Sequence, residues 1–136
     1  MDREGIPVAQ LMTSSIRTVT PDTAVTDAAG TFVTENIGSV IVVDDDDRPV
    51  GILTTTDLAE IVSTNVLDAD APVERYMTDR VITVGAQDSI RDAAARMLRH
   101  GVHHLPVTDD DGTVSGMLST MDLTAYFSYT AGTDTE

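Results

Sequence analysis

Gly51-Ile52-Leu53-Thr54-Thr55-Thr56-Asp57-Leu58 and Gly116-Met117-Leu118-Ser119-Thr120-Met121-Asp122-Leu123 lie 65 positions apart in a chain of 136 residues. Sliding the sequence over itself by that distance lays 8–63 on 73–128 without a gap, with 18 of 56 positions identical. Met12-Thr13 falls on Met77-Thr78, Thr18-Val19 on Thr83-Val84, Asp27-Ala28-Ala29 on Asp92-Ala93-Ala94, and Asp44-Asp45-Asp46 on Asp109-Asp110-Asp111. Chance gives only a few such identities, so the chain is a duplicated unit. A copy of about 60 residues buries too little surface to be secure alone, and the pair is expected to share a core.

Each copy reads as β-α-β-β-α, which makes the fold class α+β with two pseudo-symmetric units packed as one module. Val8–Met12 and Val73–Met77 are expected as short leading helices, and Ile16–Thr20 and Val81–Val84 as short strands. A helix follows over about 24–35. Val25, Ala28, Ala29, Phe32 and Val33 recur at helical spacing, matched by Ile90, Ala93, Ala94, Met97 and Leu98. Asp22 or Thr23, and Asp88 or Ser89, are candidate N-caps. Asn36 and Gly101 are the residue types that tolerate a left-handed stop. Val40–Val43 with Val50–Leu53, and Leu105–Thr108 with Ser115–Leu118, read as hairpins around acidic turns. Last helices begin near Asp57 and Asp122. The expected division is 6–63 for unit one, 64–72 for a linker, 73–128 for unit two, and 129–136 for a frayed tail.

Composition narrows the functions. The 23 acids, 18 of them Asp, face eight bases, all Arg, for a formal net charge of −15. That field repels nucleic acid and anionic lipid, so neither is expected as a partner. With 41% hydrophobic residues the chain is too apolar for a disordered acidic tail. An Asp-rich, Lys-free globular chain resembles cytosolic proteins of salt-loving archaea, where a Debye length of about 3 Å at 1 M hides mutual repulsion. Met1–Gly5 lacks the basic-then-apolar order of a signal peptide, and no run of 18 apolar residues spans a membrane, so a cytoplasmic protein is expected. The absence of Cys excludes disulfides and thiolate chemistry.

The acidic runs Asp44–Asp47 and Asp109–Asp111 lack the alternate spacing and twelfth-position Glu of a calcium loop, and read as solvated turns. His100, His103 and His104 do not make a metal site: Gly101 ends their helix, and His103 and His104 then point to opposite sides of a strand. One His touching an anionic group is the better reading. Gly116-Met117-Leu118-Ser119 lacks the second glycine of a nucleophile elbow, and no phosphate-binding glycine loop occurs. No catalytic residue, metal or cofactor is expected. What remains is the repeated Gly-x-x-[Ser/Thr]-x-x-Asp. Thr54 with Asp57, and Ser119 with Asp122, fit helix capping boxes. The same geometry sets a hydroxyl and a carboxylate beside free backbone N–H groups, where a sugar-phosphate can bind.

Met12-Thr13, Val19-Thr20-Pro21, Gly101-Val102-His103-His104-Leu105-Pro106-Val107 with its acidic turn, Gly116-Met117-Leu118-Ser119 and Asp122-Leu123 together resemble the CBS domain, named for cystathionine β-synthase. The resemblance covers about residues 6–128, and two such units make a tandem pair, the Bateman module. It implies clefts between the sheets that bind AMP, ADP, ATP or S-adenosylmethionine as a regulatory ligand. Carried over residue by residue, Asp57 and Asp122 would hold ribose, and Thr54 and Ser119 would touch ribose or phosphate. Ile16, Arg17 and Thr18, with Val81, Ile82 and Thr83, would flank adenine. Ile37, Gly38 and Ser39, with Val102, His103 and His104, would line the base and the mouth.

Many members of the family carry a base before the Asp, where this chain has Thr56 and Met121, and unit one has Val40-Ile41 in place of Leu-Pro. With few bases near a phosphate (Arg17, Arg80, His103, His104), AMP or S-adenosylmethionine is expected over ATP. The resemblance also implies a homodimer formed through the helices. Phe32, Val33, Met97, Leu98, Tyr126 and Phe127 are enough to cover more than one helix face. The expected function is a ligand sensor that passes occupancy to a partner. The alternative is a ligand-independent dimerisation or docking module, and an enzyme is not expected.

Overall fold

A computed structural model describes residues 5–64 and 68–134. In chain order it contains β1 (Thr18–Val19), α1 (Val25–Glu35), β2 (Ser39–Val43), β3 (Pro49–Thr54), α2 (Thr55–Thr64), β4 (Val84–Gly85), α3 (Ile90–His100), β5 (His104–Thr108), β6 (Val114–Ser119) and α4 (Thr120–Asp134). Each copy is the expected β-α-β-β-α unit. The leading helices are shorter than expected, single 3-10 turns at Val8–Gln10 and Val73–Arg75. The first strands are also short: only Thr18–Val19 of 16–20 is paired, and of the expected Val81–Val84 only Val84 is, in a strand that ends at Gly85. The end expected to fray is helical as far as Asp134, and residues 135–136 lie outside the described residues. Positions 65–67 of the expected linker are also outside them.

The sheets have orders β1-β2-β3 and β4-β5-β6, with the first pair parallel and the second antiparallel in each. The central strands β2 and β5 are buried on both faces, which is why they read as nearly continuous apolar runs. Val40, Ile41 and Val42, like Leu105 and Val107, have no exposed surface. The acidic runs turn the hairpins as expected: Asp44 N–H donates to the Arg48 carbonyl, and Asp109 N–H to that of Thr113.

The compact units do not coincide with the sequence repeats. One is residues Arg17–Val81, here the Asp57 unit; the other joins the stretch up to Ile16 to everything from Ile82, here the Asp122 unit. Each leading segment therefore packs on the opposite copy's strands. Val73 lies in the core of the Asp57 unit with Val25, Phe32, Val40 and Leu53. Val8 lies in that of the Asp122 unit with Val84, Met97, Leu105 and Leu118. Backbone pairing fixes each segment. Thr13 exchanges two 2.9 Å hydrogen bonds with Met117, and Thr78 exchanges bonds of 2.9 and 3.0 Å with Ile52. Close approach requires glycine beside these contacts. A Cβ on Gly116 would lie 2.6 Å from Met12 Sδ and 2.9 Å from the Thr13 carbonyl oxygen, and one on Gly51 would overlap Met77 Sδ.

An expected cap forms at one helix start and not at the other. Ser89 accepts the Asp92 N–H at 3.1 Å and caps α3. At α1 the cap position is Ala24, with no side-chain acceptor. There the Val25 N–H reaches the Ala71 carbonyl at 2.8 Å, and the Thr26 hydroxyl reaches that of Ala69 at 3.0 Å. Asp22 instead bonds Thr20, and Asp88 accepts the Gly85 N–H. The left-handed stops form at Asn36 (φ 55°) and Gly101 (φ 65°). Val33 and Leu98 are 84% and 85% exposed, Val62 and Phe127 67% and 70%. Each pair is one repeat position seen twice.

Candidate functional site

In a parallel β1-β2 pair followed by antiparallel β3, the starts of the first two strands and the end of the third meet at one edge of the sheet. Here the Thr18↔Ile41 and Ser39↔Thr54 registers bring Arg17–Thr18, Gly38–Ser39 and Thr54 to that edge of the Asp57 unit. β3 runs straight into α2, so Asp57 falls in the first helical turn. The Asp122 unit repeats this with Ile82–Thr83, His103–His104 and Ser119, through the His104↔Ser119 register, and Asp122 lies in the first turn of α4. Ile37 and Val102 pack against the two cores beneath. Ile16 and Val81 are half-buried at the unit boundaries, Ile16 in the Asp122 unit and Val81 in the Asp57 unit.

Both capping boxes form. The Thr54 N–H and hydroxyl donate to Asp57 Oδ2 at 2.8 and 3.1 Å, and the Asp57 N–H donates to Thr54 Oγ1 at 3.3 Å. The Ser119 N–H donates to Asp122 Oδ2 at 2.9 Å, and the Asp122 N–H to Ser119 Oγ at 3.1 Å. Each carboxylate is thus held by one oxygen. Among the described residues no hydrogen bond uses Oδ1 of either, which remains an acceptor for a diol. The first-turn amides are less free than expected. The Thr55 N–H donates to the Gly38 carbonyl at 3.1 Å and the Thr120 N–H to that of His103 at 3.0 Å. That bond ties the mouth loop to the helix start in both copies.

Charge differs between the copies. Arg17 is paired with Glu35 at 3.1 Å on the surface. His104, the first residue of β5, is half-buried, and His103, which lies just before the strand and not in it as expected, is exposed. Burial holds the His104 pKa below the ordinary histidine value, the His103 charge lowers it further, and the Asp122 carboxylate opposes both. Sequence reasoning missed Arg96, whose Nη1 donates to the Thr83 carbonyl at 2.6 Å. Its counterpart Thr31 bonds its own helix instead, and a groove of about 450 Å³ lies open between β1 and α1, lined by Arg17, Thr18, Gly30 and Thr31 among others. An Arg on the polar side of a helix looks like any solvated base, so only its length hinted at the contact. Among the described residues no three His, Asp or Glu side chains cluster to hold a metal, and no helix is long and apolar enough to cross a membrane.

A profile of the CBS domain matches residues 8–64 and again 73–129. The chain belongs to the CBS domain family. Its two copies form a tandem CBS pair, and solved CBS pairs share the fold. The CBS pair of protein MJ0100, in complex with 5′-methylthioadenosine and S-adenosyl-L-methionine, superposes with a TM-score of 0.83 at 25% identity, over 92% of this chain and 98% of that one. CBS domain protein PAE2072 from Pyrobaculum aerophilum, complexed with AMP, gives 0.80 at 26% identity, over 87% and 90%. An uncharacterized 17.7 kDa protein from the bps2 3′ region of Acidianus ambivalens is 36% identical over 116 residues, 85% of this chain and 70% of its own length. Among curated relatives that it matches, the share of the relative's own length that the chain spans ranges from 81% to 21%.

Proposed function

We propose that this CBS pair is a regulatory module, not an enzyme, that binds an adenosine-containing ligand in clefts beside Asp57 and Asp122 and signals occupancy to a partner protein. The observation that carries it is the pair of carboxylates, each held by Oδ2 at a helix start with Oδ1 unbonded among the described residues. Two vicinal hydroxyls suit such an acceptor. The adenosine compounds in the MJ0100 and PAE2072 structures support the ligand class. AMP or S-adenosylmethionine is favoured over ATP, because a triphosphate beside an Asp, in a chain of net charge −15, lacks countercharge. Ile16–Thr18 and Val81–Thr83 would flank the base. Titration with AMP, S-adenosylmethionine and ATP in molar KCl tests this, and ATP binding tightest overturns the preference. Ligand raises the melting temperature through RT ln(1 + [L]/Kd). Asp57→Asn and Asp122→Asn keep an acceptor for the cap but weaken the diol grip, so each should remove much of that rise with little change in unliganded stability.

The capping boxes also favour a second reading, a docking module in which the motif serves only as helix caps. No thermal shift with any adenosine compound would support it. We further propose a salt-adapted cytoplasmic homodimer formed through the outer helix faces. Its support is the exposure of Val33, Val62, Leu98 and Phe127 at matched positions and the Lys-free acidic composition. Sedimentation in graded KCl should find a dimer that is lost in Val33→Glu/Leu98→Glu and most stable at molar salt. A monomer throughout, or indifference to salt, defeats the respective part.

A further inference from the structure

Resting on the ligand reading above, the geometry points to a division of labour. We propose that the Asp122 site selects an adenosine ligand carrying an anionic group and takes it together with a proton on His104, whereas the Asp57 site is indifferent to that group. The two sites share backbone and carboxylate but not the residue opposite the hydroxyl. His104 faces Ser119 across the β5-β6 ladder, and Ser39 faces Thr54 across β2-β3. Directly opposed side chains in such a ladder lie about 4.5–5.5 Å apart at Cβ. The imidazole therefore projects from the same face of the sheet as the Ser119 side chain, and the Asp122 carboxylate is near enough to act on it.

The charged groups acting on His104 are His103, next to it in the chain, and Asp122 at the start of α4. Arg96 is committed to the Thr83 carbonyl. In the Asp57 unit the matched positions are Gly38 and Ser39, neither able to charge, and Arg17 is held by Glu35. An arriving phosphate thus meets one group at the Asp122 site whose cationic form is disfavoured by burial while the site is empty and favoured once an anion offsets that burial. Proton uptake follows, so affinity for an anionic ligand rises as pH falls through the histidine range.

Three histidines in the chain make the imidazole proton resonances a direct readout. Saturation with AMP should raise the His104 titration midpoint by about one pH unit, and adenosine should leave it in place. Relative to His104→Ser, wild-type affinity for AMP should gain about threefold between pH 8 and pH 6. Comparison with the variant cancels the titration of AMP itself. His104→Ser copies the arrangement at Ser39, so the fold already tolerates it. Conversely, Ser39→His should confer the same pH slope on the Asp57 site. Equal pH slopes in wild type and His104→Ser, with both probes still bound, overturn this inference and leave the ligand reading intact. Failure of both adenosine and AMP to bind overturns both.

Discussion

The two copies follow one backbone course with different polar side chains at matched places. Ser89 caps α3 with its own hydroxyl, whereas α1 at Ala24 borrows carbonyls from Ala69 and Ala71. Arg96 spans from α3 to the Thr83 carbonyl, whereas Thr31 leaves an open groove. His104 stands where the other copy has Ser39. The buried positions behave otherwise: Leu53 matches Leu118 and Val42 matches Val107, all without exposed surface. Apolar packing and glycine contacts hold the course of the chain, which leaves the polar positions free to diverge and each site to be tuned alone.

The sharpest test of that equivalence is at the glycines. Gly116→Ala drives a methyl against the Thr13 carbonyl, which cannot retreat without breaking its paired bonds to Met117. It should cost about 2–3 kcal/mol in urea denaturation. At Gly51→Ala the nearest atoms belong to the flexible Met77 side chain, which can swing aside, and the change should cost about 1 kcal/mol. Equal losses would mean that the two leading segments are held alike. A smaller effect is expected at the caps. Ser89→Ala should lose about 1 kcal/mol, and Ala24→Ser should gain some tenths of that, since the two positions share extended geometry (φ −75°, ψ 151° and φ −65°, ψ 138°). No gain at Ala24 would show that the borrowed carbonyls already satisfy that helix start.

Much of this was legible in the residues, and for local reasons. The 65-residue period, the 3.6-residue stripes, the acidic turns and the left-handed stops at Asn36 and Gly101 each depend on neighbours in sequence. The capping boxes at Asp57 and Asp122 were readable for the same cause. What escaped depends on distant partners. Thr23 looked like a cap because the Ala71 carbonyl that serves Val25 lies far along the chain. The strand at 16–20 shrank because only Thr18 and Val19 find partners on β2. The reach of Arg96 and the placement of His104 opposite Ser119 both required the ladder register, which composition does not carry.

The exchanged leading segments also bear on synthesis. As the chain leaves a ribosome, the Asp57 unit is contiguous and has all its strands and helices once residue 81 has emerged. Val8 and Met12 must wait, apolar and unsheltered, until the last hairpin around Gly116 has been made. A cut between the repeats would sever no strand, yet each fragment would carry the segment that the other fragment's strands pair with. Such halves are built to find each other again.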